Sequence, residues 1–309
     1  MKKNFHKLAT YTALILVSSL PFSVDVLADA EKKQSSPVTS LSIADKNSSA
    51  IKRKVLAEKS RQVVNEARDS ISGTQQALIA LEKNDTKAAL AILQDVSKKL
   101  AIILAKNPDL ALVTADMEAD IFDFEGDANT VKKELKQADD LLDHGKLQDA
   151  RQILAELASE MRITTVSIPL GTFPVAIKNA VALIDAGKAN EAALVLDEEL
   201  NTLVERTEII PLPLLRAEAL LTVASELEHK EDLSKEKSRA EVLKFADAAK
   251  EKLKLAELLG YGGKDDYQLL YTAIDEIKET IHSEKSAATW SKIKQTLVDL
   301  KNKIIQPKK

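Results

Sequence analysis

The stretch ALIALEKNDTKAALAILQDVSKKL, residues 77–100, decides the fold, because two further stretches of the chain match it. These are ADDLLDHGKLQDARQILAELASEM, residues 138–161, and AVALIDAGKANEAALVLDEELNTL, residues 180–203. Each stretch has one central residue of a type that can end a helix in the left-handed conformation. These central residues are Asn84, Gly145 and Gly187. The match predicts three copies of one helical hairpin.

Five further positions agree when the central residue is taken as the origin. An apolar residue stands three positions before it, alanine five after, leucine nine after, an apolar residue sixteen after and proline twenty-four after. In chain order, these residues are Leu81, Leu142 and Ile184; Ala89, Ala150 and Ala192; Leu93, Leu154 and Leu196; Leu100, Met161 and Leu203; and Pro108, Pro169 and Pro211. Small alanines allow two helices to approach closely, the larger side chains fill the seam, and proline stops the second helix.

The predicted fold class is therefore all-α, with stacked antiparallel helical hairpins and at most a few short extended segments. The internal repeat is about 42 residues long, and the first interval carries about 19 extra residues. The predicted boundaries are a single helical domain at residues 50–309, hairpins at about 77–108, 138–169 and 180–211, and C-terminal helices at about 234–305. An apolar stripe over residues 51–81 predicts one long helix, whose end forms the first helix of the first hairpin.

Two β-branched runs interrupt this helical pattern. Residues 163–168 and 207–210 are rich in Ile, Thr and Val, and each run ends at a proline. Both are predicted to be extended, and a short pairing between them is an open alternative. Pro174 and Pro213 follow, at positions where the next helices are expected to begin.

The N-terminus has the layout of a secretory signal. Lysines at positions 2, 3 and 7 precede an apolar run over residues 8–20, and small residues stand before a cleavage point after Ala28. Residues 1–28 are predicted to be a signal peptide and residues 29–49 a flexible leader, which places the protein in the periplasm. The apolar run is shorter than a membrane-spanning helix needs. Because the chain has no cysteine, it can have neither a lipid anchor nor a disulfide.

Composition and motifs exclude several classes of function. Removing residues 1–28 leaves 41 basic against 47 acidic residues and a formal charge of −6, which argues against nucleic acid and anionic membranes as partners. No motif for a hydrolase, a nucleotide-binding loop or a zinc peptidase is present in the sequence. We therefore expect no catalytic residue, no metal and no cofactor, and predict that the protein is not an enzyme.

An acidic segment is the first candidate site. It carries Asp116, Glu118, Asp120, Asp123, Glu125 and Asp127. One interpretation is a pH-responsive face, because crowded carboxylates repel one another and bind protons more readily. The alternatives are a solvated helix face and a calcium loop, in which Ala128 stands where a glycine is required.

Two proline-containing segments form the second candidate site. They supply Ile168, Pro169, Phe173, Pro174, Ile210, Pro211 and Pro213. These residues could line an apolar groove for a peptide or a drug-like ligand, whereas the simpler interpretation is packing between helices.

The runs RITTVSIPLGTFP, from Arg162, and RTEIIPLPLLRAEAL, from Arg206, resemble the YfdX family of enterobacterial exported proteins. The resemblance implies a helical periplasmic protein that is associated with acid and drug stress, with proposed chaperone-like and ligand-binding activities. It supplies no catalytic residue.

The leading hypothesis is a non-enzymatic periplasmic stress protein that binds protein partners or unfolded clients, with a dependence on pH. The second hypothesis is a binder of small apolar ligands, and the third is a hydrolase that uses paired carboxylates. The sequence also allows self-association of the hairpins into a homo-oligomer.

Overall fold

The computed structural model describes the backbone of residues 40–281 and 286–305, and the side chains of residues 48–281 and 286–304. The predicted signal peptide, residues 1–28, lies outside the described residues, as does the leader up to residue 39. Within the described ranges the chain forms eleven helices and three strands. None of these helices is long and apolar enough to cross a membrane.

The helices and strands follow one another in a regular order. Their bounds are α1 (Ser40–Ser60), α2 (Asn65–Glu82), α3 (Thr86–Lys106), β1 (Leu112–Phe122), α4 (Ala128–Asp143), α5 (Leu147–Glu156), β2 (Glu160–Pro169), α6 (Phe173–Asp185), α7 (Ala189–Leu200), β3 (Val204–Pro211), α8 (Leu212–Lys230), α9 (Glu236–Leu258), α10 (Lys264–Thr280) and α11 (Ser286–Ile305). Each of the pairs α2–α3, α4–α5 and α6–α7 is followed by a strand.

The residues predicted to turn the chain within each helix pair do so. Asn84, Gly145 and Gly187 have φ angles of 58°, 72° and 74°, in the left-handed region. Glycine adopts this region without strain, and asparagine is one of the few other residues that tolerate it. The Asp85 carboxylate then accepts a hydrogen bond from the Ala88 amide and caps α3.

The prediction of an all-α fold is confirmed in part: the described chain is mostly helical, but its three strands form a small antiparallel sheet in the order β1-β2-β3. Ile163 of β2 lies opposite Ala119 on one side and Glu208 on the other. The alternative pairing between residues 163–168 and 207–210 is therefore confirmed. Strand β1 was missed because its acidic residues have low β propensity and its pairing partner lies far along the chain.

The predicted ends of the second and third hairpins are also wrong. Helix α5 ends at Glu156 and α7 at Leu200, so Pro169 and Pro211 end strands rather than helices. Met161, which was expected in a hairpin seam, lies on β2 and is fully buried beneath the sheet. The β-branched residues that follow each short helix favour strand over helix, which explains the earlier helix end.

The N-terminal helical region differs from the prediction in two respects. Helix α1 begins at Ser40, so residues 40–49 are helical rather than part of a flexible leader. The long helix expected over residues 51–81 is broken between α1 and α2. Its break is held in place by the Val64 amide, which donates a hydrogen bond to the Thr114 carbonyl of β1. Because the Val64 amide is used in this long-range bond, it does not continue the helical hydrogen bonding of α1.

The helix pairs do not stack in chain order. The first and third pairs pack on each other, with α2 against α7 and α3 against α6, and they share one core with Val113, Ile168 and Phe173. The middle pair packs instead on α9, where Val131, Leu157 and Leu255 are buried. The four C-terminal helices enclose a separate core.

We predict that Gly73 is required for the close packing of α2 on α3. A Cβ atom at Gly73 would lie 2.6 Å from Cγ2 of Val96, which is buried and cannot move away. Replacing Gly73 with valine should lower the free energy of unfolding by about 2 kcal/mol, as overpacking of a core does. Urea denaturation would measure the loss.

Gly171→Val is the matched control, because a Cβ atom at Gly171 has no heavy atom within 4 Å. Equal midpoints for the Gly73 variant and this control would contradict the packing argument.

Candidate functional site

The first half of the acidic segment lies on β1 and none of its six acidic residues lies within a helix, so the interpretation as a solvated helix face is wrong. Asp116, Glu118 and Asp120 alternate along β1 and point to one face of the sheet, where they are exposed. Met117 and Ala119 alternate with them and pack on the opposite face against residues of α1. The period of two therefore separates the carboxylates from the core.

The same face of the other strands completes a surface that we call the open face. Its residues are Asp116, Glu118 and Asp120 of β1; Arg162, Thr164 and Val166 of β2; and Glu205, Thr207 and Ile209 of β3. All are exposed or half-buried. Acidic residues lie on both outer strands, and the hydroxyls of Thr164 on β2 and Thr207 on β3 share a hydrogen bond of 2.9 Å. Apolar Val166 and Ile209 add a hydrophobic component to this surface.

Most of the negative charge on the open face is not neutralised by neighbouring side chains. Asp116 accepts a hydrogen bond from Arg68 at 3.0 Å, in an exposed ion pair. Within residues 48–281 and 286–304, no ion pair involves Glu118, Asp120 or Glu205. The open face can therefore attract cationic groups.

Asp123 follows the last residue of β1, and its side chain stabilises the fold instead of contributing to the open face. Its two carboxylate oxygens accept hydrogen bonds of 2.9 and 2.5 Å from Arg216 of α8, and one also accepts the Ser159 hydroxyl at 3.2 Å. Burial raises the pKa of Asp123, but the hydrogen bonds and charge of Arg216 outweigh this effect. The pKa therefore lies below its ordinary value of 3.8.

Asp127 also has a structural role. It is the N-cap of α4, where its carboxylate accepts hydrogen bonds from the amide and the hydroxyl of Thr130. These bonds lower its pKa. The expectation that crowding helps the acidic segment bind protons is therefore wrong for Asp123 and Asp127. Glu125 is exposed nearby and does not lie on the strand.

A buried polar network at the end of the sheet was missed by the sequence analysis. The Tyr261 hydroxyl donates a hydrogen bond of 2.7 Å to Glu160 and accepts one of 2.9 Å from the Ser159 amide. Glu160 also accepts a hydrogen bond from Arg162, whose guanidinium lies 4.3 Å from the centre of the Phe122 ring. Burial, followed by the bond to Glu160, raises the pKa of Tyr261.

This network links the sheet to the turn after α9, which contains Tyr261. Through its hydrogen bond to Glu160, Arg162 is held beside β1, where it lies opposite Asp120. The sequence signal that could have indicated this network is the charged residue Glu160 at the first position of β2.

The calcium interpretation gains no support from the geometry. Within the described residues, no group of three or more histidine or acidic side chains is arranged to hold a metal ion. Asp123 and Asp127 are engaged by Arg216 and by the α4 amides, which leaves them poorly placed as shared ligands.

The proline-containing segments lie in the interior. Six of the seven predicted groove residues are buried; they are Ile168, Phe173, Pro174, Ile210, Pro211 and Pro213. Only Pro169 is half-exposed, at the margin of a shallow hollow beside Leu110. The structure therefore does not bring these residues together as an open groove, and packing accounts for six of them.

A cavity of about 380 Å³ lies elsewhere, between α8 and α11. Its apolar lining includes Leu221, Trp290 and Leu297, and its polar lining includes Glu218 and His229. The volume lies within the range of small-molecule sites, and the mixture of a few polar groups with apolar walls is typical of them. None of these residues was singled out from the sequence, because they come from helices far apart in the chain.

We predict that Asp123→Asn lowers the free energy of unfolding near neutral pH by about 1 kcal/mol. The estimate is that of a charged hydrogen-bonded pair, reduced for its partial exposure to solvent. Because the folded-state pKa is depressed, the stabilisation is present above pH 3.8 and is lost as the pH falls below that value. Urea midpoints of the variant and the wild type should therefore converge in acid.

Glu125→Gln is the control, since no ion pair of Glu125 is present among the described residues. A constant difference between Asp123→Asn and wild type down to the acid limit would contradict the role of this ion pair.

Comparison with known proteins gives one family. The model of the YfdX protein family matches residues 70–209, which extend from α2 into β3. A solved structure of Salmonella Typhi YfdX is similar at 15% identity, covers 48% of this chain and 93% of that chain, and has a TM-score of 0.35. No curated protein matches the chain. The resemblance noted in the sequence is confirmed by the family model over residues 70–209, a little less than half of the chain.

Proposed function

We propose that the protein is a non-enzymatic, stress-associated binding protein of the periplasm that holds protein partners or unfolded clients on the open face. The observation that carries the proposal is a set of exposed carboxylates beside apolar Val166 and Ile209. These carboxylates, of Glu118, Asp120 and Glu205, form no ion pair with a described residue. Unfolded segments expose both apolar and charged side chains, so such a mixed surface suits them.

The geometry favours extended, cationic segments as clients. In the described part of the chain, β1 and β3 each pair with β2 alone, so each leaves one strand edge without a partner strand. An extended peptide can add to such an edge through main-chain hydrogen bonds. The acidic residues on the same strands would select lysine and arginine, and they also oppose pairing between identical copies.

Other features support the proposed periplasmic location and stress role. The predicted N-terminal signal supports export, and the absence of cysteine means that the fold needs no disulfide in an oxidising compartment. Carboxylates lose their charge in acid, so we propose that attraction for cationic clients weakens when the medium is acidified. Retention of apolar clients would then depend on the hydrophobic component of the open face.

The test is suppression of client aggregation at neutral and acid pH. Replacing Glu118 and Glu205 with glutamine and Asp120 with asparagine should weaken retention of a cationic client about tenfold, at about 0.5 kcal/mol for each exposed charge pair. Light scattering against protein concentration would measure the effect. A protein that suppresses aggregation at neither pH would overturn the proposal.

The matched control removes three exposed carboxylates elsewhere, by replacing Glu82, Glu241 and Glu279 with glutamine. None of these three forms an ion pair with a described residue. Equal losses in the two triple variants would show that net charge, and not the open face, determines retention.

The cavity between α8 and α11 favours a second candidate function, the binding of a small apolar ligand that can carry a positive charge. Leu221, Ile293 and Trp290 give the cavity apolar walls. Its two carboxylates, Glu218 and Glu226, each form an ion pair with a lysine outside the lining. A positive charge on the ligand would therefore lie against the ring of Trp290, because aromatic faces attract cations. This site replaces the proline-containing groove as the place where a drug-like ligand would bind.

Trp290 is the only tryptophan in the chain, so its fluorescence reports on this cavity. We predict that apolar cationic compounds change the emission saturably, and that Leu297→Trp, which fills part of the cavity, weakens binding at least tenfold. The exposed Leu269→Trp variant controls for the added fluorophore. Unchanged emission across a panel of such compounds would exclude this function.

A further inference from the structure

The middle helix pair, α4–α5, exposes two leucines whose counterparts in the other two pairs are buried, and a third leucine lies beside them. Leu142 and Leu154 are 43% and 44% exposed, and Leu147 is 60% exposed. With Arg151 they line a shallow hollow on the outer side of the pair. The opposite side of α4 is occupied, because it packs on α9.

The counterparts of these leucines lie in the contact between the first and third pairs. Leu142 corresponds to Leu81 and Ile184, and Leu154 corresponds to Leu93 and Leu196. These four counterparts are buried in one common core. In that core α2 packs on α7 while α3 packs on α6, so the first helix of each pair meets the second helix of the other. This reciprocal arrangement is that of a two-fold axis.

Two charged residues distinguish the middle pair from the others. Six positions before the turn stand Leu78, Val181 and, in the middle pair, Asp139. Six positions after it stand Leu90, Ala193 and, in the middle pair, Arg151. The four apolar residues are half-buried and pack on the common core, whereas both charged residues are exposed. Neither Asp139 nor Arg151 forms an ion pair with a described residue.

We propose that α4–α5 is the interface of a two-fold homodimer, which repeats between two copies the contact that the first and third pairs make within one. In this dimer α4 of each copy packs on α5 of the other copy. Leu142, Leu147 and Leu154 are buried at its centre. Asp139 pairs with the partner subunit's Arg151, and the symmetry forms this pair twice.

A second copy fits this surface better than an unrelated protein does, because the opposite charges are self-complementary under the same symmetry as the internal contact. The sixteen-residue α4 is about 24 Å long, so two such pairs bury an area at the low end of stable interfaces. The dimer is therefore expected to dissociate in the micromolar range.

Sedimentation of the purified protein between about 1 and 100 μM would test the proposal. We expect a monomer–dimer equilibrium that Leu147→Glu with Leu154→Glu shifts at least a hundredfold towards monomer. Leu194→Glu with Leu269→Glu is the matched control, since both leucines are exposed on other helices and should leave the equilibrium unchanged. Because all four positions are exposed, the variants should fold.

A charge exchange identifies the partner as a second copy in this orientation. Asp139→Arg and Arg151→Asp should each weaken self-association at least tenfold, because each places like charges together. Opposite charges face each other again when the two variants are mixed, so the mixture should form a heterodimer. For the same reason, the double variant should form its own homodimer.

Two results would overturn the proposal. One is a wild-type protein that stays monomeric throughout the concentration range, as it would if another segment of its own chain covered the leucines. The other is a dimer that the glutamate variants and the charge exchange leave unchanged, since association would then use a different surface.

Discussion

The structure depends on the pairing of β2 with a strand on each side. Ile163 and Met161 of this strand are buried beneath the sheet, while Ile168 near its end is buried in the core of the first and third helix pairs. One strand therefore joins two hydrophobic clusters. Its backbone hydrogen bonds are satisfied on both edges, which removes the cost of burying unpaired amides and carbonyls.

This central strand also determines where the charged residues lie. With β2 in the middle, the acidic strand β1 and the mixed strand β3 become the two edges of the sheet. Pairing in register brings Glu118 and Glu205 onto the same face, on strands that flank Thr164 and Val166 of β2. The network of Glu160, Tyr261 and Arg162 then fixes the end of the strand. A face with acidic residues on both outer strands is thus a consequence of the strand order.

The antiparallel strands also explain why the three helix pairs have different surroundings. Because β1 and β3 both run opposite to β2, the pairs that precede them lie at one end of the sheet and pack on each other. The pair that precedes β2 lies at the other end, against α9. Residues in equivalent sequence positions are therefore buried in two pairs and exposed in the third, as Leu93 and Leu154 illustrate.

The sequence alone determined the features that depend on near neighbours. These features are the helical turns at Asn84, Gly145 and Gly187, the helix starts near Pro174 and Pro213, and the extended runs before Pro169 and Pro211. They follow from φ preferences, helical periodicity and side-chain branching, which act over a few residues. Sequence reasoning failed for β1 and for the roles of Asp123 and Asp127, and it left open whether the proline segments form a groove or pack in the interior.

Only the tertiary structure decided these points, because each depends on a partner distant in the chain. The acidic residues of β1 form a strand because β2 supplies hydrogen bonds, and Asp123 is held by Arg216, which no local pattern connects to it. Burial of the hairpin leucines was likewise decided by which pairs meet in space. Local preferences determined the individual helices and turns, and long-range pairing and packing determined which of their faces are buried and which are exposed.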